Sequence, residues 1–210
     1  MLKNIFSSQT EFNIYIAEQK VRKENKGLTV SERKQLEEMI KTPNNYIKEI
    51  KEIPQGCKII TDINKLCHPS ELVTKEDDIK FIIKNLKETL EYKKCLGLTA
   101  NQIGINKKIS YIKIPKFFDQ KSMKWNYNEY ILINTKIIEK DRPIKVTNET
   151  CVSFPNVPVT TRRYVFITVE YLNEKMKPQA MAYQDLEALA IQHECDHQNG
   201  LTIFDRKWRK

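Results

Sequence analysis

An α+β domain is what this chain of 210 residues predicts. Three observations carry that expectation. Strand-like runs occupy Ile109 to Ile114, Tyr130 to Ile138, Val165 to Leu172 and Gln179 to Tyr183. Two helical stretches bracket them. In the first, Ile79, Ile82, Ile83, Leu86 and Leu90 recur at helical spacing; the second runs from about Gln184 to Asn199. The last helix carries His193-Glu194-Cys195-Asp196-His197, an H-E-x-x-H pattern. Residues four apart lie on one helix face, so both imidazoles can grip one ion. Glu194 sits beside them, placed to manage the protons of an activated water.

The composition bounds the alternatives. An apolar share of 40% is enough for one core, and no run approaches the ~18 apolar residues of a membrane helix. The net charge of +9 favours acidic surroundings such as RNA, yet the lysines are scattered among glutamates. No specific DNA or membrane partner is expected. Cys57, Cys67, Cys95, Cys151 and Cys195 form no C-x-x-C pair and no even framework, which favours a reducing compartment. Polar residues follow Met1-Leu2-Lys3-Asn4-Ile5-Phe6 at once, so no signal-peptide core is expected there. A cytoplasmic protein follows.

Residues 1–56 read as a helical extension of unassigned role. Thr29 to Glu32 resembles a capping box and opens a helix through Ile40, which Thr42-Pro43 stops. Residues 57–210 form the domain proper. Lys58-Ile59-Ile60 reads as a short strand. His68 lies alone before Pro69 and reads as a surface or structural histidine. Thr74 and Asp77 open the first domain helix. Between that helix and the first long strand, Cys95 to Gly104 is rich in small residues. Gly97 there permits close backbone approach, and Gln102 offers an amide N–H to a developing oxyanion.

Further along, Glu149 to Pro155 reads as a turn centred on Cys151, and Leu172 to Lys175 as a hairpin turn. In the last helix, Leu186, Leu189 and Ala190 continue the histidine face, and Gly200 is placed as its C-cap. Leu201 to Arg206 reads as extended, followed by a solvated basic tail of Lys207, Arg209 and Lys210.

Three motifs stand in order: G-L-T-A-N-Q from Gly97, E-T-C-V-S from Glu149 and Q-H-E-C-D-H from Gln192. Together they resemble the peptide deformylase family, over roughly residues 58 to 206. The resemblance implies mixed or antiparallel sheets around a central helix carrying the H-E-x-x-H motif. It makes Cys151 the third metal ligand beside His193 and His197. It implies Fe(II), with Ni(II), Co(II) or Zn(II) able to substitute. The implied reaction removes the formyl group from formyl-methionyl peptides and releases formate. Glu194 would carry the proton, and the Gln102 amide and Val152 backbone N–H would hold the oxyanion. Substrate would add as a strand along Gly97-Leu98. Its methionine would fill a pocket of Leu96, Val152, Leu189 and Ala190. Glu149 and Asp196 would orient the ligands, with Arg162 as an ion-pair partner. A monomer that acts near the ribosome is the accompanying expectation.

The chain departs from the family pattern at Cys95, Thr99, Thr150 and Val152, where Gly, Ala, Gly and Leu are usual. The alternative reading starts from these departures: a binding protein for ribosomes or nascent chains that kept the fold and lost turnover. A zincin endopeptidase is disfavoured, because such enzymes place a third ligand downstream, and the 13 residues after His197 hold no His or Glu.

Overall fold

A five-stranded sheet carries the fold, with strands in the order β1-β2-β3-β4-β5 and every neighbour antiparallel. The computed structural model describes residues 58–119, 122 and 124–209. The helix expected between Thr29 and Ile40 lies outside them. The strands are β1 Gly97–Thr99, β2 Ile109–Asp119, β3 Lys124–Cys151, β4 Phe154–Leu172 and β5 Pro178–Gln184. The helices are α1 Ile63–Leu66, α2 Ile79–Lys93 and α3 Asp185–Gln198, with a 3₁₀ turn over Ala100–Ile103. Among the described residues, no helix is long and apolar enough to cross a membrane.

The two-residue period of the strands divides the core between two helices. Leu98, Ile109, Tyr111 and Ile133 cluster with Ile82, Leu86 and Leu90 of α2. Leu96, Ile112, Ile114 and Leu132 cluster with Leu186, Ala188 and Ile191 of α3. Each helix therefore covers one face of the sheet. The alternation has a consequence on β1. With the Leu98 side chain turned to the α2 side, Gly97 and Thr99 fall under α3. Among the described residues, strand β1 has a neighbour only in β2, so its outer edge is the end of the described sheet.

Several expectations shift. Asp78, not Asp77, caps α2, accepting the Phe81 N–H at 3.0 Å. Thr74 and Asp77 instead close a turn before it, where the Thr74 N–H donates to Asp77 Oδ2 at 2.7 Å. Lys58 to Ile60 forms no strand; its tie is one bond from the Ile60 N–H to Gln102 O. The expected strand cores lie inside longer strands, because bulges near Ile133, Ile137 and Val146 interrupt the alternation. Leu201 to Arg206 is a turn rather than extended chain: Asp205 Oδ2 accepts the Thr202 N–H at 2.8 Å and folds the segment back.

Helix α3 is buried on most sides, so its polar side chains need partners. Gln192 exchanges two bonds with the Tyr164 backbone, at 2.9 and 2.8 Å. Gln198 accepts the Thr135 N–H and donates to Leu132 O. The helix ends as the sequence predicts, with Gly200 just beyond the Asn199 cap at φ +72°. The Gly200 N–H donates to His197 O at 3.2 Å and the Leu201 N–H to Asp196 O at 2.9 Å, a Schellman closure. A Cβ on Gly200 would lie 2.5 Å from the His68 carbonyl carbon and 2.6 Å from Pro69 N. Left-handed backbone and a backbone clash act together there. Gly200→Ala is expected to cost at least ~2 kcal/mol of stability. A urea titration checks this; a midpoint equal to wild type would contradict it.

Candidate metal centre

Three side chains from two elements converge at the sheet end of α3. Cys151 is the last residue of β3 and pairs with Phe154 across the turn made by Val152 and Ser153. His193 and His197 lie one helical turn apart on α3. One donor atom from each of the three lies within 4.8 Å of the others, and Cys151 Sγ is 3.2 Å from His197 Nε2. His193 Nδ1 donates to Glu149 Oε1 at 2.7 Å, which leaves its Nε2 free to ligate. Asn101 steadies His197 from behind by donating to its backbone carbonyl at 2.7 Å.

The electrostatics favour a ligating thiolate. Burial pushes the Cys151 thiol up, but the imidazoles of His197 and His193 pull harder and hold it well below the usual thiol range. Burial pushes His193 down, and Cys151 and Glu149 together overcome it and raise that ring well above its ordinary value. A thiolate and two ring nitrogens in mutual reach, with one tautomer fixed, fit a divalent transition metal with one coordination position left open.

Behind the three donors lies a chain of buried charges. Arg163 is 2% exposed and bridges two carboxylates. Its Nε donates to Glu149 Oε2 at 2.9 Å, and its Nη1 donates to Asp196 Oδ2 at 2.5 Å. Arg206 Nη2 donates to Asp196 Oδ1 at 2.7 Å. Thr161 donates its hydroxyl to Glu149. Burial raises the Glu149 carboxyl, but His193 and Arg163 lower it more, to well below the usual carboxylate range. The sequence expectation that Arg162 fills this role is corrected. Arg162 is exposed, and the arginine that turns inward is its neighbour. The β4 alternation could have found it, because Thr161, Arg163, Ile167 and Val169 share one parity and all are buried.

Glu194 lies opposite, 4% exposed. Burial raises its carboxyl, partly offset by His193, His197 and a Thr99 hydrogen bond. The Gln102 amide is oriented by both ends. Its Oε1 accepts the Thr99 N–H at 2.9 Å, which turns Nε2 toward Ser153 Oγ at 3.1 Å and Cys151 Sγ at 3.6 Å. A pocket opens between β1, the end of β3 and α3. Leu96, Gly97, Val152, Leu189 and Ala190 line it together with His193 and Glu194. Leu186 and the bulged stretch Val146 to Asn148 also line it, and sequence reasoning had not singled them out for it. The Leu98 side chain belongs to the opposite core, so only its backbone faces this edge.

Removing Arg163 would leave Glu149 without a guanidinium and Asp196 with Arg206 alone, and loosen His193 through Glu149. Arg163→Met is expected to lower stability by about 3–5 kcal/mol and metal affinity roughly tenfold or more. Arg162→Met should change neither. Urea unfolding and metal competition check both variants, and equal behaviour of the two would contradict the assignment.

Comparison with known proteins identifies the family. The model of the family described as polypeptide deformylase matches residues 57–210. The peptide deformylase of Brachyspira hyodysenteriae is 32% identical over 149 residues, covering 70% of this chain and 78% of the relative. That of Synechocystis is 34% identical over 142 residues, covering 67% and 73%. Among solved structures, the peptide deformylase from Synechococcus elongatus in complex with actinonin is similar. It has a TM-score of 0.64 and 28% identity, with 78% of this chain and 84% of that one covered. The Plasmodium falciparum enzyme in complex with an inhibitor has a TM-score of 0.60 and 25% identity, covering 72% and 88%. With the family match spanning all but the first part of the chain and the fold shared with solved peptide deformylases, the chain belongs to the peptide deformylase family.

Proposed function

We propose that this chain removes the N-formyl group from the N-terminal formylmethionine of newly made peptides and releases formate. The observation that carries the reading is the meeting of Cys151, His193 and His197 beside Glu194 at the wall of one pocket. A divalent ion held by those three ligands would supply Lewis acidity, making water nucleophilic near neutral pH. Fe(II) is the ion that the family resemblance implies, and one thiolate with two imidazoles suits it as well as Ni(II), Co(II) or Zn(II).

The chain's own groups do the rest. Glu194 takes the proton of the attacking water and returns it to the leaving amine. Burial raises its carboxyl above the ordinary range, the direction that suits a group which must accept a proton and then return it. The Gln102 Nε2–H and the Val152 backbone N–H hold the oxyanion that develops on the formyl oxygen. The open edge of β1 at Gly97-Leu98 accepts the peptide backbone as an added strand, which reads main chain rather than sequence. Leu96, Val152, Leu189 and Ala190 hold the methionine side chain. This reading puts the protein in the cytoplasm, acting as a monomer on nascent chains near the ribosome. The alternative of a silent binding protein has less support, because the departures leave Cys151, His193, His197, Glu194 and Gln102 in place.

Formate release from a short formyl-Met peptide tests the reading. The metal-loaded protein should turn over. Glu194→Ala should lose at least ~10²-fold in rate while keeping one metal per chain. A wild-type protein that binds one metal per chain and releases no formate would overturn it.

A further inference from the structure

Thr99 stands where the family usually has alanine, and its hydroxyl is spent on Glu194. The residue is fully buried on the α3 side of β1. Its Oγ1 lies 2.7 Å from Glu194 Oε2, 3.2 Å from the Glu194 backbone O and 2.8 Å from Ser110 Oγ. A hydroxyl has one proton to give, and an ionised carboxylate is the strongest acceptor within reach. Ser110 then donates to Thr99. Ser110 in turn accepts from Gln198 Nε2 at 2.9 Å. The Gln198 amide cannot turn round, because its Oε1 accepts the Thr135 N–H at 3.1 Å and its Nε2 also donates to Leu132 O. Ser110 and Gln198 are fully buried too. The donors therefore run one way, from the β3 backbone through Gln198, Ser110 and Thr99 to one carboxylate oxygen.

The other oxygen is placed by a different contact. Gly97, two residues before Thr99 on the same face, has no side chain, and a Cβ there would overlap Glu194 Oε1 and lie 2.8 Å from Cγ. The carboxylate is thus held by Thr99 at Oε2 and lies against the bare backbone of Gly97 at Oε1; Gly97 lines the pocket and Thr99 does not. We propose that Thr99, backed by Ser110, is a positioning residue that pins Glu194 Oε2 and leaves Oε1 as the oxygen that exchanges the proton. The inference rests on the reading of Glu194 as proton carrier. It also gives the departure at Thr99 a use, rather than treating it as damage to the site.

The test uses the full-length, metal-loaded protein and a short formyl-Met peptide. Thr99→Val removes the hydroxyl and keeps the shape; Thr99→Ala does so without bulk, should the valine not fold. Either is expected to lower kcat roughly ten- to a hundredfold, with KM and metal content close to wild type. Thr99→Ser should restore most of kcat, and adding Thr99→Val to Glu194→Gln should cause no further loss of the residual rate. Thr99→Val with kcat within twofold of wild type would overturn the proposal. So would Thr99→Ser no better than Thr99→Val, or an undiminished valine effect in the Glu194→Gln background. Glu194→Gln alone separates the two readings. Wild-type turnover by that variant would sink the role of Glu194 and that of Thr99 with it. Its inactivity beside a fully active Thr99→Val would sink Thr99 alone.

Discussion

Arg163 ties four parts of the chain through charge, in addition to the ladder and side-chain hydrogen bonds they already share. Its guanidinium, on β4, pairs with Glu149 on β3 and with Asp196 on α3, and Asp196 draws in Arg206 from the segment beyond that helix. Two carboxylates and two guanidiniums balance within one cluster, buried except at the half-exposed Arg206. Such a cluster contributes little net stability over an apolar core, but breaking it leaves a charge uncompensated. Its value here is position. Glu149 fixes the ring of His193, and Asp196 lies one residue before His197. The geometry of both imidazoles therefore depends on one arginine that touches neither.

The sheet supplies the other half of the site. Antiparallel alternation sends Leu98 into the α2 core and leaves Gly97 and Thr99 facing Glu194. The tight turn at Val152-Ser153 ends β3 at Cys151 beside the same helix. The 3₁₀ turn after β1 carries Gln102 under the sulfur. The groups stand on the buried helix, at the end of β3 or in the short turns that follow β1 and β3, where backbone hydrogen bonds hold the chain, so little ordering is left for substrate to impose.

What the sequence revealed follows from the range of each signal. The H-E-x-x-H spacing is local and periodic, so His193, Glu194 and His197 were readable from the helix alone. Gly200 was readable for the same reason. Cys151 lies 46 residues from His197, and nothing in its neighbourhood marks it as a ligand. It came from the order of three motifs that resemble a family. The strand signal starts only at Val165, which leaves Arg162 and Arg163 undistinguished, although extending its parity backward points to Arg163. The bond between Thr99 and Glu194 spans 95 positions and leaves no pattern at all. At Lys58 to Ile60, β-branched residues suggest a strand, but among the described residues no strand pairs there.

Spectroscopy of the Co(II)-loaded protein tests the central claim most directly, because cobalt reports its ligands without any need for turnover. With one thiolate and two imidazoles around the ion, a sulfur-to-cobalt charge-transfer band should appear at one Co(II) per chain. Cys151→Ser should abolish that band, while Cys95→Ser and Cys195→Ser keep it. A band that survives Cys151→Ser, or stoichiometric cobalt binding with no sulfur signature, would contradict the account.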